Sequence, residues 1–190
     1  MNTRHLMAAL LATLLSVPAL AEHALVGEKS DIRFISVKNA AVAEVHRFRS
    51  LSGGIEDGAV SVTIPLVDVE TMIPIRNERM QKMLFETELY PKATLTAVVD
   101  MGKLKALKSG DYTTMEVEFT LDLHGSSKTY SSEVNVARLG DELHVSTEQP
   151  LVVSAADFDL TAGIESLREI AGLNNIATQV PVTAQLVFAL

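Results

Sequence analysis

Residues 60–96 read VSVTIPLVDVETMIPIRNERMQKMLFETELYPKATLT, and the reading of this stretch decides the fold. Val60, Val62, Ile64 and Leu66 alternate with Ser61, Thr63 and Pro65, the period of two that marks a half-buried strand. The period then changes. Pro74 opens an amphipathic segment that runs to Phe85, and within it Met80, Met83 and Leu84 recur at i, i+3 and i+4, on one side of a short helix. Tyr90-Pro91 turns the chain into a second strand from Ala93. The expectation is a helix laid across a sheet. Met72, Met80 and Met83 lie close together here, and thioethers suit an apolar surface that fits an irregular partner, although ordinary core packing produces the same stripe.

Toward the N-terminus, Arg4 and His5 precede an apolar run over 6–17 and an Ala19-Leu20-Ala21 cleavage site, so residues 1–21 read as a secretory signal peptide. That run is shorter than the roughly 18 apolar residues of a membrane span, and no other segment reaches that length. The mature chain, 22–190, is expected to be soluble, without a transmembrane segment, and long enough for one domain around a single core. It has no cysteine, which excludes disulfides, thiolate metal sites and cysteine nucleophiles. The full sequence has 24 acidic against 16 basic residues and a formal net charge of −8, so it is repelled by a phosphate backbone, and no nucleic-acid partner is expected.

Outside the opening stretch, alternation dominates. Strands are expected over 32–38, 42–48, 95–99, 116–123, 130–136, 143–145 and 182–190, with turns at Ser52-Gly53-Gly54, Glu56-Asp57-Gly58, Ser109-Gly110-Asp111, Gly125-Ser126-Ser127 and Gly140-Asp141. The cleanest is 116–123, where Val117, Phe119, Leu121 and Leu123 alternate with Glu116, Glu118, Thr120 and Asp122. Ile164, Leu167, Ile170 and Ala171 recur at helical spacing and predict a second helix, stopped by Gly172 and Asn174-Asn175. About eight antiparallel strands imply a mainly β fold, a closed barrel or a sandwich, with one or two short helices.

Catalytic constellations are weak. Asp68 and Glu70 share one strand face, an arrangement that can raise a carboxylate pKa, but a solvated strand end explains them as well. His46, His124 and His144 match no local metal motif and read as isolated surface histidines, and His23 near the mature N-terminus is a lone ligand. Gly125-Ser126-Ser127 lacks the spacing of a nucleophile elbow. No catalytic residue, metal or cofactor is assigned, and no enzyme is expected.

Six motifs in order resemble the YceI-like family: Phe34-Ile35-Ser36-Val37-Lys38-Asn39, Phe48 followed by Leu51-Ser52-Gly53, Val67-Asp68-Val69-Glu70-Thr71, Arg76-Asn77-Glu78-Arg79, Tyr90-Pro91-Lys92-Ala93-Thr94, and Phe119-Thr120-Leu121-Asp122-Leu123-His124-Gly125. The resemblance implies an antiparallel lipocalin-like barrel in the bacterial periplasm, whose apolar interior holds a long isoprenoid lipid, a quinone or a polyprenol. The lining expected on that basis is Phe34, Phe48, Leu66, Met72, Met80, Met83, Leu84 and Phe85, then Leu95, Phe119, Leu121, Val136, Phe158 and Phe188. The chain departs from the family pattern at Asn39, at His46 and at Arg79-Met80-Gln81-Lys82-Met83, and the insertion around 164–175 is longer than expected. Two alternatives stay open beside the carrier: an enzyme acting on a quinone or lipid, and a ligand-free interaction module. A homodimer also stays open. A membrane barrel is disfavoured because Glu116, Glu118 and Asp122 would crowd a narrow lumen.

Overall fold

The computed structural model describes residues 22–190, so the leader expected at 1–21 lies outside the described residues. Alternation becomes pairing over most of that length, in one twelve-stranded antiparallel sheet. The strands are β1 (His23–Ala24), β2 (Asp31–Lys38), β3 (Val42–Phe48), β4 (Ser52–Glu56), β5 (Ala59–Pro65), β6 (Val69–Glu70), β7 (Lys92–Val98), β8 (Tyr112–Leu123), β9 (Ser126–Leu139), β10 (Glu142–Thr147), β11 (Leu151–Ser154) and β12 (Gln179–Ala189). Their order is β1-β4-β5-β7-β8-β9-β10-β12-β2-β3-β6, with β11 joined to β12.

The sheet curls on itself and is tied at one end by the segment after β1. Leu25 donates to the Gly53 carbonyl and bridges Phe188, and Val26 donates to Val187 at 2.7 Å, so this strip joins β4 to β12. On β8 the residues Glu116, Glu118 and Asp122 face outward and are exposed, while Val117, Phe119 and Leu121 face inward. The strand is therefore oriented as its pattern requires.

The additions to the expected eight are the short strands β1, β4, β6 and β11. The Ser52-Gly53-Gly54 turn is one of them: Gly53 belongs to β4, at φ 137°, and a Cβ there would meet the Ser61 carbonyl at 2.0 Å. Glycine stands at this position for close approach to β5, not for a turn. The β8–β9 hairpin turns on His124 and Gly125, at φ 51° and 79°, the two left-handed residues of a tight hairpin. Ser126 and Ser127 already belong to β9.

Three α-helices are present among the described residues: α1 (Pro74–Arg79), α2 (Met101–Ala106) and α3 (Thr161–Ile170). α2 is an addition to the expected set. It is too short for a periodic signal, and its cue is Asp100, whose carboxylate accepts from the Gly102 and Lys103 amides. α1 runs on into a π-helical turn at Met80–Leu84, closed by Phe85 N–H to the Met80 carbonyl at 2.9 Å. α3 packs on this turn so closely that a Cβ on Gly163 would lie 2.5 Å from the Met83 carbonyl oxygen. Its C-terminal loop is tied to the β2–β3 turn by Asn174 N–H to Asn39 Oδ1 and Ala40 N–H to Asn175 Oδ1. Residues 161–175 thus lie over the Met80–Leu84 turn and the β2–β3 turn, and Ile164 reaches the cavity from there.

Candidate functional site: an apolar tunnel

The inward faces of the strands enclose a cavity of about 260 Å³. Met115, Val117, Phe119, Leu121 and Leu123 of β8 line it along one wall, a path of about 26 Å at the usual strand rise. Leu104 of α2 and Val99 bound one end, and Leu84, Phe85, Leu160 and Ile164 bound the other. A small volume drawn out over that length is a narrow tunnel. Among its lining residues only Ser132 and Thr147 carry a polar side chain, and none carries a charge.

Of the residues expected to line the interior, Phe34, Phe48, Leu66, Leu84, Phe85, Leu95, Phe119, Leu121, Val136 and Phe188 do line it. Phe34, Phe48 and Phe85 form an aromatic run with ring centroids 5.4 and 5.7 Å apart. Met72, Met80, Met83 and Phe158 do not reach the cavity. The stripe of Met80, Met83 and Leu84 was read at 3.6 residues per turn, whereas the π-helical turn is wider. Leu84 and Phe85 therefore take the cavity side, while Met80 is buried in the core outside it and Met83 is half-buried beside α3. Phe158, fully buried in a 3-10 turn, leaves the lining position to Leu160.

Met72 is 78% exposed and has φ 63°. Its neighbours hold it there. Met72 N–H donates to Glu70 Oε1 at 2.6 Å, Thr71 N–H to Asn77 Oδ1 at 2.9 Å, and Arg76 Nη2 to the Thr71 carbonyl at 2.6 Å. The Met72 amide, then Asn77, hold the Glu70 carboxyl below the usual carboxylate range. This is opposite to the shift an acid–base pair with Asp68 would need.

Of the three histidines read as surface residues, His46 is buried and His124 and His144 are partly exposed. His46 is 3% exposed, bonded through Nε2 to Ser36 Oγ at 2.8 Å and packed on Phe34 with centroids 5.2 Å apart. Burial pushes its pKa down, and the Arg76 charge adds to that. Arg76 and Lys38 both lie 2.8 Å from Glu44, and the Lys38 hydrogen bond is the main cause that lowers the Glu44 pKa. His124 joins three elements: Nδ1 lies 3.0 Å from the Phe158 carbonyl, Nε2 lies 2.9 Å from Glu86 Oε2, and its ring packs on Tyr90 at 4.3 Å. His144, partly exposed, pairs with Glu142 at 3.1 Å. No three histidine, aspartate or glutamate side chains converge as a metal site among the described residues.

Sequence reasoning missed Leu104, Leu151, Leu160 and Ile164 as lining residues. Alternation predicts a strand's inner face; these four come from helices, from the approach to α3 and from a strand too short to show a period.

The class that this fold and cavity define is a lipocalin-like antiparallel barrel around an apolar tunnel. The family model for the YceI-like domain matches residues 23–188, and the chain belongs to that family. A solved polyisoprenoid binding domain from Saccharophagus degradans, implicated in plant cell wall breakdown, is 41% identical with a TM-score of 0.88, over 90% of this chain and 99% of that one. BcnA of Burkholderia cenocepacia has the same fold, at 19% identity and a TM-score of 0.68, over 86% of this chain and 98% of its own. Among curated proteins nothing matches the chain.

Proposed function

We propose that this protein is exported to the periplasm and holds a long isoprenoid chain, that of a quinone or a polyprenol, in the tunnel for transport, storage or sequestration. The observation that carries this reading is the shape and chemistry of the tunnel: about 260 Å³ spread along the barrel, with a wall that is apolar except at Ser132 and Thr147. A lining that runs from Met115 to Leu123 along one wall suits a flexible hydrocarbon chain better than a compact ligand. Burial of that chain contributes about 0.8 kcal/mol per CH₂, so a few isoprene units outweigh the cost of association. The 41% identity to a polyisoprenoid binding domain supports the same reading, and the leader over 1–21 supports export. The exposed acidic side chains on β8 favour water over lipid around the barrel, and no helix among the described residues is long and apolar enough to cross a membrane. The test is mass spectrometry of the organic extract from natively purified protein. Co-purified prenyl lipid at near-stoichiometric yield is expected; an extract without prenyl compounds, from protein that also fails to take up added prenyl lipid, counts against the reading.

A further inference from the structure

The barrel wall has a break in its hydrogen-bond ladder. Residues 126–132 of β9 pair with β8 on one edge, but β10 covers the other edge of β9 only over 134–139, and the last rung is Glu148 N–H to the Glu133 carbonyl at 2.9 Å. In that register the next rung would come from residue 150, opposite Ser131, and Pro150 has no N–H to donate. The chain leaves β9 there, and β11 pairs with β12. Among the described residues no backbone hydrogen bond joins 131–132 of β9 to 151–152 of β11.

The break lies over the tunnel. Ser132 shares the inner face of β9 with Val134 and Val136, Leu151 and Val153 are the inner residues of β11, and all five line the tunnel. A second pocket of about 220 Å³ lies outside the break, and Ser132 and Leu151 line both it and the tunnel. One layer of side chains thus separates tunnel from surface here. Farther along β9 the wall is joined by an ion pair, Lys128 Nζ to Asp157 Oδ2 at 3.5 Å, with both partners partly exposed.

The segments that bound the tunnel's ends are held by backbone bonds instead. α2 sits between Val99 N–H to the Gly58 carbonyl at 2.9 Å and Gly110 N–H to the Arg138 carbonyl at 2.8 Å. After α3, Asn39 N–H donates to the Asn175 carbonyl at 3.0 Å and Ala177 N–H to the Val37 carbonyl at 2.8 Å. Displacing either segment breaks such bonds, whereas widening the break parts one exposed ion pair, an interaction that contributes little.

We propose that the break between β9 and β11 is the portal through which the hydrocarbon chain of the ligand enters and leaves the tunnel sideways. The inference rests on the carrier reading above. Ser132 parts from Leu151 and Lys128 from Asp157, while the ladders on either side stay intact. Such a route sets rates and not affinity: an obstruction slows uptake and release by the same factor, because the free and bound states are unchanged.

The chain has no cysteine, so introduced thiols are unique. Lys128→Cys with Asp157→Cys, joined by a short bis-methanethiosulfonate linker, staples the wall beside the portal, and Gln149→Cys capped with a bulky maleimide fills the second pocket from outside. As a control, Lys38→Cys with Ile176→Cys, two positions that form a β-bridge, locks the loop after α3 to β2 by a disulfide. The probe is a prenyl quinone mixed with delipidated protein, its uptake and release followed by rapid kinetics. The staple and the cap are each expected to slow both rates by at least about tenfold and to leave the dissociation constant within about twofold. Reductant, which cleaves the linker, is expected to restore the rates, and the 38–176 disulfide to leave them as they were. Unchanged rates in both the stapled and the capped protein overturn the portal, as does slowing by the 38–176 disulfide alone. A staple and cap that weaken affinity without slowing both rates equally make the break part of the binding surface and overturn it as a route. In each of these outcomes the unmodified protein still binds the quinone and the carrier reading stands; an unmodified protein that takes up no prenyl quinone overturns both.

Discussion

Gly163 of α3 and Leu84 of the π-helical turn are in backbone contact: a Cβ on Gly163 would lie 2.8 Å from the Leu84 Cα and 3.2 Å from its Cδ1. Both flanking segments supply wall at this end of the tunnel, through Leu84 and Ile164, so their separation sets how the end closes. Gly163→Ala therefore forces α3 away from the turn. Overpacking of this kind costs about 1–3 kcal/mol, and thermal melting of the variant should show that loss. An unchanged melting temperature would mean that the contact is loose.

Phe119 and Glu118 test the orientation of β8. Phe119 lines the cavity and is not fully enclosed, so Phe119→Ala should cost about 1–3 kcal/mol, less than the roughly 3–5 of a filled core site. Glu118, exposed on the outer face, should change stability by less than about 0.5 kcal/mol on conversion to alanine. Urea midpoints in the reverse order would place the strand inside out.

Met72 occupies a left-handed backbone conformation outside the cavity. Met72→Gly relieves that conformation and should stabilise the protein by about 0.5–1 kcal/mol without altering uptake of prenyl lipid. Weaker uptake would return Met72 to the binding surface.

Much of this was legible in residues 60–96 and 116–123, because alternation fixes which face of a strand is buried and the ladder obeys it. Leu66, Phe119 and Leu121 face the cavity for that reason. Met80 and Met83 were not: one π-helical turn changes the angular period, and nothing in Met80-Gln81-Lys82-Met83-Leu84 announces it. Met72 was misplaced because its exposure depends on Glu70, Arg76 and Asn77 acting together around a turn. The break in pairing between β9 and β11 was illegible for a different reason: it depends on where β10 stops pairing with β9, at Val134, and that is a property of register between strands.

His46 supplies a pH dependence. Its pKa is lowered in the fold, chiefly by burial, from an ordinary value near 6.5, so the unfolded chain takes up a proton before the folded one does. Its contribution to stability is fully present above about pH 6.5 and falls as the pH drops through the depressed folded value. His46→Gln should flatten the stability profile across that acidic window. A slope identical to that of the unmodified protein would assign it to other groups.

The central claim is that the tunnel holds a hydrocarbon tail, and the most direct measurement is an equilibrium titration of delipidated protein with quinones of one head group and increasing tail length. Affinity should rise with each isoprene unit, by up to several kcal/mol over the series, and level off once the tunnel is filled. Affinity that follows the head group and is indifferent to the tail would contradict it.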